Sequence, residues 1–256
     1  MAFLGFKSQV FTAPMAGITD RPFRKIVAGC GAGNLISEMV AINAIQRKNP
    51  KTYRIADVHD EPYPVVVQLV GNNAELFAEA AKLVADLGAS SIDINMGCPV
   101  KKIVNNDSGS SLMKDLPRAA AIIEATVKAT PLSVSVKFRK GWDSEHVNAV
   151  EFAKMCEQSG ASYITVHGRT RAQGYSGEAD WNIIKEVKAA VKIPVIGNGD
   201  IDSPQKAAEM IKFSGVDGVM IGRAGLGNPW LFNRTDHYLR TGADFPAPTA
   251  AEIQQM

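Results

Sequence analysis

Cysteine is scarce in this chain of 256 residues, and what there is does not pair. Cys30, Cys98 and Cys156 are odd in number, far apart and never in a C-x-x-C arrangement. That argues against a disulfide framework or a thiolate zinc site and points to a reducing compartment. Histidine is equally sparse. No two of His59, His146, His167 and His237 have metal-ligand spacing, so no metal is expected. Long apolar runs are missing too; the longest are of strand length, so no segment is expected to span a membrane. The start, MAFLGFKSQVF, has neither a long apolar stretch nor a small-residue cleavage site, which gives the expectation of a cytoplasmic protein without a signal peptide. An excess of one charge is also missing. The 28 Lys and Arg against 26 Asp and Glu leave a formal charge of +2, so a polyanionic partner must be met by a local patch.

What is present is a large apolar fraction, 46% of residues, distributed in short runs. Eight of these recur along the chain: QVFTAPM, NLISEM, YPVVVQLVG, SSIDINMG, LSVSVKF, SYITVHG, IPVIGNG and GVDGVMIG. They are β-branched and nearly continuous, as strands covered on both faces should be. Between most of them lie stretches with helical spacing. AELFAEAAKLVADLG places Leu76, Phe77, Ala80, Leu83, Val84 and Leu87 on one face and stops at Gly88. LPRAAAIIEATVKA, VNAVEFAKMCEQSG, WNIIKEVKAAV and SPQKAAEMIKFSG behave alike, the last with Ser203 as N-cap and Pro204 at the first helical position. Strand and helix alternating in this way predict an α/β fold with an all-parallel sheet closed as a (β/α)8 TIM barrel. The rival is a doubly wound open sheet, which the absence of G-x-G-x-x-G after the first strand disfavours.

In a parallel barrel, chemistry sits on the loops that follow the strands. Cys98 falls just past the fourth strand, in DINMGCPVKK. The first strand leads into APMAGITD, where Pro14, Ala16 and Gly17 are small or rigid enough for backbone to approach a flat ligand. Strand three is expected to end in Gln68, strand five in Lys137 followed by Arg139, and strand six in His167 followed by Arg169 and Arg171. GNGDI and IGRAGLGNP after strands seven and eight match the usual phosphate site of such a barrel, with Arg223 as a charged donor. Lys101, Lys102, Arg139, Lys140, Arg169 and Arg171 all follow strand ends and are expected to ring the mouth with positive charge. Cys30 and Cys156, in helical or turn context, read as packing residues.

APMAGITDRPFR, VVVQLVG, DINMGCPVKK, VSVKFRKGWD, TVHGRTRAQGYSGEADW, IPVIGNGDI and GVMIGRAGLGNPWLF, in this order, resemble the tRNA-dihydrouridine synthases, most of all the bacterial B-type branch. The resemblance runs from about residue 3 to the end. It implies an FMN enzyme, reduced by NADPH, that passes hydride to C6 of a uracil in tRNA. It further implies Cys98 as the acid that protonates C5, and Pro14, Met15 and Ala16 against the flavin ring. Gln68 and Lys137 would hydrogen-bond that ring, with His167 near it. Asn198, Gly199, Asp200, Gly222 and Arg223 would form the phosphate site. Asn95 would meet the uracil, and Lys101, Arg139, Arg169 and Arg171 would face the RNA. It also implies residues 1–240 as the FMN-binding catalytic domain, with residues 241–256 as a linker and the start of a truncated C-terminal helical domain. The loop after Cys98 departs from the family pattern at Ser110 and Ser111, which casts its closure over the substrate as weaker than usual. Two other readings remain open here: an FMN barrel acting on a small pyrimidine, akin to dihydroorotate dehydrogenase, and a non-catalytic RNA-binding module.

Overall fold

The computed structural model describes residue 6 and residues 8–254. The N-terminal stretch inspected for a leader lies largely outside the described residues, as do the last two residues of the tail TAAEIQQM. Eight strands form one parallel sheet: β1 (Val10–Thr12), β2 (Leu35–Ala41), β3 (Val65–Val70), β4 (Ser91–Met96), β5 (Val134–Arg139), β6 (Tyr163–His167), β7 (Val195–Asn198) and β8 (Gly218–Ile221). Each of the eight expected runs overlaps one of them; β2 and β5 continue past their runs to Ala41 and Arg139. β1 pairs with β8, and the remaining seam is bridged by Phe11 and Asn34. There Thr12 N donates to Asn34 O at 3.0 Å, and Asn34 Nδ2 donates to Ser8 O and Val10 O at 2.7 and 3.0 Å. The sheet therefore closes as a barrel, and the open-sheet rival falls.

The helices wrap the outside. In order they are α1 (Arg21–Gly29), α2 (Ile42–Gln46), α3 (Pro50–Ala56), α4 (Ala74–Asp86), α5 (Lys101–Val104), α6 (Leu116–Ala129), α7 (Ala149–Gln158), α8 (Trp181–Ala190), α9 (Pro204–Ser214), α10 (Trp230–Thr241) and α11 (Ala250–Gln254). Side chains cap several of them, the expected Ser203 among them. Ser203 accepts from Lys206 N at the start of α9, Asp115 from Arg118 N at α6, and Asn73 from Leu76 N at α4. α4 gives out one residue before Leu87, and Gly88 follows at φ +90, where a Cβ would press within 2.8 Å of His59 Cα.

The strands alternate more than their apolar runs suggested. On β4, Ile92, Ile94 and Met96 join the outer core against the helices, while Asp93 and Asn95 face inward with the polar residues of neighbouring strands. Val134, Val136 and Phe138 of β5 also pack outward, and Ser135 and Lys137 do not. Cys156 is fully buried in the outer core, as a packing residue should be, and Cys30 is half-buried. The inner apolar cluster, Phe11, Ala13, Ile36, Val66, Tyr163, Ile196 and Met220, is closed by Phe6, whose ring lies 5.0 Å from Phe11 and 5.6 Å from Tyr163. The barrel is thus plugged by apolar side chains at its N-terminal end and becomes polar toward the mouth. No helix among the described residues is long and apolar enough to cross a membrane.

Candidate active site

The C-terminal ends of the strands surround a cavity of about 1160 Å³. Most of the residues singled out in the sequence line it: Pro14, Met15, Ala16, Asn95, Cys98, Lys137, Arg139, His167, Arg169, Asn198, Gly199, Asp200, Gly222 and Arg223. Gln68, Lys101 and Arg171 do not. Gln68 is fully buried inside β3, which continues to Val70 rather than ending at the glutamine. Its amide is engaged by Asp93 and Asn95 beneath the cavity floor. Lys101 is exposed at the first position of α5. Arg171 stacks its guanidinium on Trp142 at 4.5 Å, outside the cavity, opposite no carboxylate partner among the described ion pairs.

The positive rim also differs from expectation. Arg139 and Arg169 are only 3% and 2% exposed, so neither offers an open surface charge. Arg139 donates to Gly97 O at 2.9 Å and to Thr170 O and Gly174 O at 2.9 and 2.8 Å. Arg169 donates to Ser176 O and Gly177 O at 3.1 and 2.6 Å and pairs with Asp200 at 2.8 Å. Their fork of donors ties the loops after β4 and β6 together. These arginines build the wall of the cavity, and what they show to a ligand is the remaining face of the guanidinium. Tyr175, 58% exposed, lies beside the guanidinium groups of Arg139 and Arg223, at 5.6 and 4.8 Å.

Cys98 sits on a turn gripped from both sides. Asn95 Oδ1 accepts from Gly97 N at 3.2 Å and from Cys98 N at 2.9 Å. From the far side, Ser110 donates to Cys98 O through its N at 3.1 Å and its Oγ at 2.9 Å. Ser110 is fully buried, and Ser111 Oγ donates to Ser108 O at 2.8 Å. The two serines therefore dock the loop instead of loosening it, which corrects the expectation of weak closure. Gly109, at φ +60, fits because a Cβ there would meet Cys98 O at 2.9 Å.

Burial pushes the Cys98 thiol up, against the Val100 N–H and the charges of Arg139 and Lys137, so the thiol carries its proton at neutral pH. Burial and Arg139 together bring Lys137 down to about 8, with Asp93 and Cys98 acting the other way. Lys137 Nζ donates to Asn198 Oδ1 at 3.2 Å. His167 is held well below its ordinary value by burial and by four cationic neighbours, Lys137, Arg139, Arg169 and Arg223. It is neutral, and Arg169 Nη1, which can only donate, lies 3.5 Å from its Nε2.

After β7, Asp200 takes φ +58 and its carboxylate accepts from Ala179 N at 2.7 Å and pairs with Arg169. Burial raises its pKa, but these partners and Arg223 outweigh that and hold it below the usual value. Asp200 thus shapes the turn at the cavity wall and pairs with Arg169 and Arg223. Arg223 lies 3.8 Å from Asp200 with its side chain 56% exposed, free to meet an anionic group. Trp181 Nε1 donates to Gly199 O at 3.2 Å and fixes the same turn. A Cβ on Gly222 would meet nothing nearer than Ala13 Cβ at 3.6 Å, so this backbone fronts open cavity.

The loop after β1 is held by contacts with Glu38 and Glu61 that the sequence motifs did not reveal. Gly17 N donates to Glu38, and Arg24 donates to Thr19 O at 2.7 Å while forming a buried pair with Glu61. Pro14, Met15 and Ala16 are thereby presented along one wall. Apolar Met15 and Met220, with Lys137, Asn95, Arg223 and Lys206 as donors on the same cavity, form a lining that fits a flat ring carrying a phosphate. Among the described residues, no group of three or more His, Cys, Asp or Glu side chains is placed to hold a metal ion.

Comparison with known proteins gives a consistent outcome. The family model described as "Dihydrouridine synthase (Dus)" matches residues 11–256. A "Probable tRNA-dihydrouridine synthase" of Rickettsia bellii is 50% identical over 94% of this chain and 74% of that protein. A "tRNA-dihydrouridine synthase B" of Pseudomonas aeruginosa is 47% identical over 97% of this chain and 75% of that protein. Among solved structures, histamine dehydrogenase from Rhizobium sp. 4-9 superposes with a TM-score of 0.71 at 15% identity, covering 91% of this chain and 46% of that one, which shows the shared barrel. On the match across nearly its whole length, and with relatives of the B type among those it resembles at close to half identity, the chain belongs to the dihydrouridine synthase family.

Proposed function

We propose that this chain is an oxidoreductase that reduces the 5,6 double bond of uracil bases in tRNA, with FMN as cofactor and NADPH as reductant. The observation that carries the reading is Cys98. It is a buried thiol that keeps its proton, on a turn braced from two sides, in the wall of the cavity at the strand ends. FMN, when bound, supplies hydride to C6 of the base. In this reading, residues up to about 240 are the unit that binds it.

The chain's own residues do the rest. Met15 and Ala16 support one face of a flat ring. Lys137 lies at the cavity wall, where its ammonium offsets negative charge that builds on a reduced ring. Arg223 meets the phosphate, while Asp200 holds the turn behind it. Asn95 spends its oxygen on the Cys98 turn and offers its edge to the base. The Cys98 Sγ–H gives its proton to C5. Tyr175 and the faces of Arg139 and Arg223 line the entrance a flipped-out base must pass.

The test is a single turnover under anaerobic conditions. Protein reduced with NADPH is mixed with tRNA lacking dihydrouridine, or with orotate, and reoxidation is followed by visible absorbance. Reoxidation by tRNA and not by orotate is expected. Cys98→Ala should slow that step by about 10²–10⁴-fold, the usual weight of a positioned acid. Reoxidation by orotate alone would replace this reading with a small-molecule enzyme.

A further inference from the structure

Asp93 stands two residues before Asn95 on β4, 1% exposed and off the cavity wall. Strand register places it level with Gln68 on β3 and Ser135 on β5. Its Oδ2 accepts from Gln68 Nε2 at 2.6 Å and its Oδ1 from Ser135 Oγ at 2.6 Å. Gln68 Oε1 accepts from Asn95 Nδ2 at 2.9 Å, and Asn95 Oδ1 accepts the backbone N–H groups of Gly97 and Cys98. One unbroken chain of hydrogen bonds thus runs from a buried carboxylate to the backbone of the reactive cysteine.

The direction of that chain is set at both ends. Backbone N–H groups only donate, so they demand the oxygen of Asn95. A carboxylate oxygen without a proton only accepts, so Asp93 Oδ2 meets the nitrogen of Gln68. A primary amide turned over at either position would set donor against donor or acceptor against acceptor in a buried space. A carboxylate placed there merely to fill volume would be a poor choice beside an apolar side chain. Burial raises the Asp93 pKa, against the bonds from Gln68 and Ser135 and the charge of Lys137.

We propose that Asp93 is a positioning residue for Cys98: through Gln68, its carboxylate orients the Asn95 amide that holds the cysteine turn over the cavity. This rests on and deepens the function proposed above, since the thiol so placed is the proton donor of that reaction. Gln68 is the link between the two.

A reciprocal swap tests it. Gln68→Glu sets a carboxylate against Asp93. Asp93→Asn with Gln68→Glu restores a matched chain: the new asparagine donates to the glutamate, which still accepts from Asn95. The readout is alkylation of Cys98 by iodoacetamide, located by peptide mass, on the protein as purified and without RNA, from about pH 6 to about pH 10 to span the thiol range. Gln68→Glu alone is expected to change the rate about tenfold and to displace the midpoint of the pH profile, Asp93→Asn alone to change it less, and the pair to return within about twofold of the parent, as coupled neighbours do. A folded Gln68→Glu variant with the parent profile would overturn the proposal, and so would a double variant no closer to the parent than the single. Should Gln68→Glu fail to melt cooperatively, the double variant decides: recovered folding and alkylation support the chain, and continued failure refutes it. A restored profile in a protein that reduces no RNA would keep the positioning role and discard the proposed function. An active enzyme without coupling in the swap would do the reverse.

Discussion

The two faces of the same eight strands are built on opposite principles. On β4, Ile92, Ile94 and Met96 point out into the helices and are fully buried among apolar neighbours. Asp93 and Asn95, interleaved with them, point in and are just as hidden, yet every polar atom they bring must be answered by hydrogen bonds. β5 repeats the pattern, with Phe138 packed on Phe152 at 5.0 Å outside and Lys137 reaching Asn198 inside. The outer face contributes stability through area removed from water. The inner face gives up stability for placement: a lysine pulled down to about 8 and a histidine held neutral are groups the fold hosts at a cost.

The contrast breaks most visibly in the outer layer. Phe152→Ala should cost about 3–5 kcal/mol in urea unfolding, as large cavities in packed cores do, while Cys98 alkylation in the folded protein stays at the parent rate. An altered alkylation rate would mean that the faces are not independent. Next in size is Lys137→Met, for which the comparison requires the opposite sign. A folded-state value of about 8 lies below the ordinary lysine value, so the unfolded chain binds more protons between the two and the parent loses stability as pH falls through that window. Removing the amine should therefore raise stability by about 1–2 kcal/mol below pH 8 and by nothing above the ordinary lysine value of about 10.4, at the expense of turnover. Equal gains at all pH values would rule out proton linkage as the cause.

His167→Gln sharpens the same point on the acid side. The lowered histidine value means the unfolded chain takes up protons first, so the parent should lose stability as pH drops below about 6.5. The glutamine variant should show a shallower loss in denaturation midpoints, and parallel slopes for the two proteins would contradict it. Smallest is Ser110→Ala. One hydrogen bond to Cys98 O is worth about 1 kcal/mol, so stability to urea should fall by about that much. The alkylation profile of Cys98 is expected to change as well, because the lost bond is on its own turn.

Much of this was legible before folding. Runs such as VVVQLVG and SYITVHG marked each strand, and Ser203–Pro204 announced α9. Strand ends then identified Cys98, Lys137, His167 and Arg223, because topology alone sends them to one mouth. Other features stayed hidden. SIDINM, VSVKFR and YITVH do alternate, and that period of two was the available signal for Asp93, Ser135 and Thr165 on an inner polar face. Reading the runs as continuous apolar segments concealed it. The basic residues after strands five and six looked like a rim for RNA, whereas Arg139 and Arg169 are buried and bind carbonyls.

The sequence by itself determined the barrel and the level at which each strand-end residue stands, because both follow from local periodicity and the right-handed passage from strand to helix to strand. Only the tertiary structure decided what those residues touch. Asp93, Gln68, Asn95 and the Cys98 turn come from two strands and a loop, and Ser110 reaches Cys98 from twelve positions away. Hydrogen bonding acts over about 3 Å, a range at which distance along the chain carries no information. Whether an arginine meets solvent, a ligand or a carbonyl is settled when the loops close around it.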